Sequence, residues 1–94
     1  MERKNKISKR KAYLEQRLSE RFEQMQIREK TCFRRTDGAI FFLSIFPGEA
    51  ALVIEYAESD EDAMLYHFED GDRFYLEDMD EETMFQAMLR EILQ

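Results

Sequence analysis

The segment Ala39-Ile40-Phe41-Phe42-Leu43-Ser44-Ile45-Phe46 constrains this chain more than any other stretch. Apart from Ser44 it is apolar at odd and even positions alike, the mark of a central strand rather than of a half-solvated one. A sheet built around it needs a helix over its buried face. The chain has 94 residues, room for one core and not for two. Eight Phe, four Tyr and six Met supply that core and argue against intrinsic disorder. The expectation is one α+β domain over residues 1–94, frayed over residues 1–6.

Turn chemistry places the partners of the central strand. Thr31-Cys32-Phe33-Arg34-Arg35 is β-prone, and Thr36-Asp37-Gly38 suits a hairpin, with Gly38 free to take a positive φ. Pro47-Gly48 fits the two central positions of a type II turn. Residues 50–57 then alternate, with Leu52, Ile54 and Tyr56 on one face. These runs form a three-stranded antiparallel meander.

Helices flank it. Ile7, Leu14, Leu18, Phe22 and Met25 recur at helical spacing, and neither Gly nor Pro interrupts residues 1–37 before the hairpin turn. This predicts one long helix from Asn5 or Ser8 to about Glu29. Ser59-Asp60-Glu61-Asp62 has the form of an N-cap followed by first-turn acids, favouring a short helix to about Phe68 that Gly71 ends. The alternation of Met64, Tyr66 and Phe68 suits a strand as well. Asp80-Glu81-Glu82-Thr83 starts a last helix whose apolar positions are Phe85, Met88, Leu89 and Ile92. The order is αβββαα, and Leu18, Phe22, Phe42, Ile45, Leu52, Ile54, Phe85 and Leu89 are the expected core.

Charge divides the chain. Residues 1–35 carry twelve Lys and Arg against five Glu, while residues 36–94 carry two Arg against sixteen acids, for a net charge of −7. Such asymmetry suggests an electrostatic partner for one half, or attraction between the halves. The acids Glu58, Asp60, Glu61, Asp62, Glu69, Asp70, Asp72, Glu77 and Asp78 interleave with Tyr66, Phe68, Phe74 and Tyr75. Duplex DNA presents about one negative charge per 1.7 Å of axis, and an array of carboxylates can imitate that field. Aromatic anchors within a polar rim are the usual make-up of a protein-binding patch. The alternative face is basic: Arg10, Arg17, Arg21 and Arg28 along one flank of the long helix, joined by Arg34 and Arg35, placed to grip phosphates.

Catalytic chemistry finds little support. Cys32 and His67 are the one thiol and the one imidazole, and nothing in their spacing makes them a nucleophile–base pair. A single cysteine excludes an intramolecular disulfide framework. Glu69-Asp70-Gly71-Asp72 falls short of a calcium loop, because Gly71 comes too early and Phe74 replaces a ligand. The chain reads as a non-enzyme without cofactor or metal. Met1-Glu2-Arg3-Lys4-Asn5-Lys6 leads into no apolar stretch, so no leader or membrane span is expected and the location reads as cytoplasmic.

In acidity, size and αβββαα order the chain resembles a family of small anti-CRISPR proteins, which inhibit Cas9 by occupying its PAM-reading site as DNA mimics. The likeness lies in architecture and charge over most of the chain, and it implies a basic, nucleic-acid-binding protein surface as partner. The segment from Phe42 to Glu55 and the run Glu77-Asp78-Met79-Asp80-Glu81-Glu82-Thr83-Met84 are similar to small proteins of bacterial mobile elements. The α-β-β-β-α core is also similar to the double-stranded-RNA-binding domain. That family places phosphate-binding lysines at the start of its last helix, where Asp80, Glu81 and Glu82 stand here and would repel an RNA duplex. The resulting expectation is a non-enzymatic inhibitor or regulator acting through its acidic half. The alternative is a nucleic-acid-binding accessory protein acting through the basic helix.

Overall fold

A computed structural model describes residues 2–46 and 48–94, with side chains from Lys6 onward. The elements are α1 (Glu2–Ser19), β1 (Glu23–Ile27), β2 (Lys30–Arg34), β3 (Ile40–Phe46), β4 (Ala51–Ala57), α2 (Asp60–Met64), β5 (Glu69–Tyr75) and α3 (Glu81–Ile92). The class is α+β as expected, but the sheet has five antiparallel strands rather than three, in the order β1-β2-β3-β4-β5. Met1 and Pro47 lie outside the described residues, and with them part of the expected fraying and the first half of the turn after β3. Gly48, in that turn, does take a positive φ of 84°.

The central pair is the one the apolar run demanded. β3 and β4 align over their whole length, from Ile40 opposite Ala57 to Phe46 opposite Ala51. Phe41 and Leu43 face one way with Leu52 and Ile54, packing under Leu14 and Leu18 of α1 and Met84, Phe85, Met88 and Ile92 of α3. Ile40 and Phe42 face the other way, joining Ile27, Cys32, Ala57 and Ala63 beneath α2. Phe42 therefore belongs to the second layer, where Phe68 meets it edge-on at 4.8 Å between ring centroids. Leu18, Leu52, Ile54, Phe85 and Leu89 are buried as expected, while Phe22 and Ile45 are only partly covered at the edge of the larger cluster.

The predicted long helix is too long. It ends at Ser19, and the apolar spacing is real only as far as Phe22, whose amide still bonds back to Leu18 at 2.9 Å. Met25 continued the helical period by coincidence. The run Glu23-Gln24-Met25-Gln26-Ile27 also alternates at period two, and it pairs with β2 in full register. Arg28-Glu29 closes that hairpin, with Arg28 at φ 57°, the left-handed value that the first position of a primed turn requires. Arg21 and Arg28 thus leave the helix, and the expected arginine flank does not exist as one helical face.

The second correction falls after β4. Ser59 caps α2 as expected, accepting from the Asp62 amide at 3.1 Å, but the helix stops at Met64 because Tyr66 turns left-handed at φ 61°. Gly71 does not end a helix; it lies inside β5. A register shift opposite Val53–Glu55 puts one extra residue on β5 there. Gly71 is required because the Glu91 carboxylate of α3 crosses at this point. It accepts from the Tyr56 hydroxyl and, at 2.8 Å, from the Asp72 amide. A Cβ at Gly71 would stand 2.5 Å from Glu91 Oε2 and 3.0 Å from Tyr56.

Two substitutions test this packing. Leu18→Ala, at a fully buried position, should lower unfolding free energy in urea by about 2–5 kcal/mol. Gly71→Ala should cost about 1–3 kcal/mol by displacing the Glu91 carboxylate. A Gly71→Ala protein as stable as the parent would show that this clasp does not hold β5.

Candidate functional site

The basic residues are largely spent inside the molecule. Arg17 donates to Glu82 at 2.6 Å and to the Tyr13 hydroxyl at 2.5 Å, with its guanidinium 4.1 Å from the Phe85 ring centroid. Arg34 bridges Glu23 at 3.2 Å and Asp60 at 2.6 Å, tying β1, β2 and α2 together. Arg35 grips both oxygens of Asp37 and also donates to the Ile92 carbonyl at 2.9 Å, at the end of α3. Arg10 donates to the Met79 carbonyl at 3.1 Å, and Arg28 to the Met64 carbonyl at 3.2 Å while lying 4.5 Å from the Tyr66 ring centroid. Of the six expected phosphate-binding arginines, Arg21 makes no side-chain contact of this kind among the described residues. The six are scattered over α1, the following turn, two hairpins and β2.

The acids behave differently. Asp60 is held by Arg34, and Asp62 stands 3.7 Å from His67. Asp72 lends its amide to Glu91, and Glu77 and Asp78 lie in the turn after β5. Glu58, Glu61, Glu69 and Asp70 are exposed and make no ion pair among the described residues. Strand pairing concentrates them, because Tyr56 opposes Glu69 and Glu55 opposes Asp70. Directly opposed like charges on a sheet have Cβ atoms about 4.5–5.5 Å apart and are destabilising. The base on β5, Arg73, is committed to Glu49 at 2.9 Å and feels Asp70 only at longer range. Glu55 was missed in the sequence, although it interrupts the apolar set Ala51, Val53 and Ala57 on its face of β4.

Of the four expected aromatic anchors, only one is open. Phe74 is in the core, Phe68 is packed on Phe42 and Tyr75 is half-buried. Tyr66 is 42% exposed, and beside it Met64 and Leu65, which were not among the expected anchors, are 51% and 56% exposed. They follow Asp60-Glu61-Asp62 after the buried Ala63, so an apolar tip sits next to the acids of α2.

Nothing in these positions assembles a reaction centre. Cys32 is fully buried, and burial pushes its thiol pKa up, while His67 is exposed. Glu69-Asp70-Gly71-Asp72 is strand rather than loop, and no group of three metal-ligating side chains occurs among the described residues. The Tyr56 hydroxyl is pushed up by burial and by its bond to Glu91, so it acts as a donor. No described helix is long and apolar enough to cross a membrane.

The internal ion pairs set an acid limit. The Arg35 guanidinium holds the Asp37 carboxyl down to about 2 from its ordinary 3.8. Arg17 lowers Glu82, and the Thr83 amide lowers Asp80. Groups depressed in the fold add stability above their ordinary value, and that stability is lost as pH falls through the folded value. Melting temperature should therefore drop between pH 3.8 and about 2, and Asp37→Asn should flatten part of that drop. An unchanged acid limb in Asp37→Asn would show that the pair contributes nothing.

Comparison with known proteins adds no relative: no family model, no curated protein and no solved structure matches this chain.

Proposed function

We propose that this protein is a non-enzymatic inhibitor or regulator that docks an acidic corner on a basic, nucleic-acid-binding protein surface. The corner consists of α2, the end of β4 and the start of β5. One observation carries the reading: the arginines are mostly consumed by internal contacts, while Glu55 and Asp70 face each other across β4 and β5 with Glu58, Glu61 and Glu69 nearby in the chain's own turn and strand pairings. Holding like charges together costs stability that a soluble surface does not require, and a cationic partner relieves it. Met64, Leu65 and Tyr66 provide the apolar anchor that such an interface needs at its centre, with the acids as its rim. Guide-loaded Cas9 is the partner suggested by the resemblance to DNA-mimic anti-CRISPR proteins, and competition with DNA is the expected mode of action.

The variants that test this reading leave the internal pairs intact. Reversing Glu58, Glu61, Glu69 and Asp70 to Lys should abolish binding to a panel of guide-loaded Cas9 proteins, measured by interferometry, without lowering the melting temperature. Arg10→Ala and Arg21→Ala should keep binding. Complementary charge acts mainly on association, so the on-rate of the parent protein should fall as salt rises before dissociation accelerates. A parent protein that ignores the whole panel but shifts duplex DNA in a gel, with the arginine variants losing that shift, would overturn the proposal in favour of the nucleic-acid-binding alternative.

A further inference from the structure

Among the described residues, those other than glycine with a positive φ are Arg28 at 57°, Ala50 at 50° and Tyr66 at 61°. Such backbone is strained for a residue with a side chain, and glycine adopts it freely. Arg28 and Tyr66 meet. The Arg28 guanidinium lies 4.5 Å from the Tyr66 ring centroid and donates to the Met64 carbonyl at 3.2 Å. Tyr66 occupies the position just past a helix end that glycine most often fills. Its amide bonds back to the Ala63 carbonyl at 3.1 Å and the His67 amide to the Asp62 carbonyl at 2.8 Å, the pair of bonds that closes a helix through a left-handed residue. Glycine would make both bonds without strain. The tyrosine ring recovers little of that cost. It is 42% exposed, meets Phe68 tilted at 6.3 Å, and has the Lys30 ammonium 5.8 Å from its centroid besides Arg28. A cation over an exposed ring is a weak contact. Folding does not require this side chain, and strain held at an exposed aromatic points to binding.

We infer that Tyr66 is the residue on which the docking contact depends, and that Arg28 positions it. The inference rests on the docking reading above, and its occupant is the same basic protein surface. Charge supports that occupant: the corner's acids without an ion pair among the described residues, Glu58, Glu61, Glu69 and Asp70, outnumber Arg28 and Lys30 beside the ring. A tyrosine has few rotatable bonds, and a ring already held by Arg28 loses little freedom when a partner covers it. The work is divided in time. Long-range charge governs association, while a covered aromatic side chain governs dissociation.

Variants at two positions separate an anchor from a scaffold residue. Tyr66→Gly should melt roughly 4–8 °C above Tyr66→Ala, the shift that relief of one left-handed side chain gives in a domain of this size. It should melt no lower than the parent. On the panel of guide-loaded Cas9 proteins, both variants should dissociate roughly tenfold faster or more with a nearly unchanged on-rate, and Tyr66→Phe should behave as the parent. Arg28→Gly, at a turn position that glycine favours, should keep the melting temperature. It should speed dissociation about threefold in the parent and not at all in the Tyr66→Gly background, because it acts through that ring. A Tyr66→Gly protein melting clearly below the parent would show that the ring serves the fold and would overturn the inference. Tyr66 variants that keep the parent's dissociation rate would overturn it as well. The docking reading fails separately, if reversing Glu58, Glu61, Glu69 and Asp70 leaves binding intact or if the parent binds no member of the panel. In the latter case the melting temperatures decide whether the ring is kept for the fold.

Discussion

The pairing of β3 with β4 is the constraint on which the rest of the molecule depends. Ile40, Phe41, Phe42 and Leu43 are all buried, as are Ala51, Leu52, Val53 and Ile54, so this ribbon is apolar on both faces and each face needs its own cover. One cover is generous: α1 and α3 lay Leu14, Leu18, Phe85 and Met88 across Phe41 and Ile54. The other is thin. It consists of one helical turn, α2, with Ala63 inserted toward Phe42 and Phe68 folded back beside it. The thin layer explains why Met64, Leu65 and Tyr66 remain in solvent, since a five-residue helix cannot turn all its apolar groups inward. The same economy that completes the second layer leaves the apolar tip of the candidate interface.

Charge segregation along the sequence does not become charge segregation in space by simple inheritance. The basic first third folds against the acidic remainder. Arg10 reaches the turn before α3, Arg17 reaches Glu82 on it, and Arg34 reaches Asp60 on α2. These contacts are exposed or partly so, and pairs of that kind contribute about 0–1 kcal/mol each. Their larger consequence is to neutralise most of the chain's cationic character. What survives is an excess of acid on α2, the end of β4 and the start of β5.

Much of this was legible in the residues, and the failures have physical causes. The two central strands, the Asp37-Gly38 hairpin, the Ser59 cap and the last helix all followed from signals that agree locally and globally. The long helix overran because Met25 satisfies the helical period while Glu23 to Ile27 satisfies the strand period, and only pairing with β2 decides between them. β5 was invisible for another reason. Glu69-Asp70-Gly71-Asp72-Arg73 has neither β-branched residues nor alternation, and tertiary pairing with β4 imposes extended structure on it. Of the site, the acids of α2 and β5 were readable as a charge run. Their juxtaposition with Glu55 was not, because it depends on the bulge at Gly71. The arginines form a helical stripe only if the helix continues through Arg21 and Arg28, and it ends at Ser19.

Native-state hydrogen exchange, followed amide by amide, tests the central claim most directly. If the doubly covered β3–β4 ribbon is the structural spine, the amides of Phe41, Phe42, Leu43, Leu52, Val53 and Ile54 exchange only through global unfolding, and they share one free energy and one denaturant dependence. The amides of α2 and the edge strands then open locally at lower cost. Exchange of the β3–β4 amides at rates equal to those of α2, or with a separate local opening, would contradict the account.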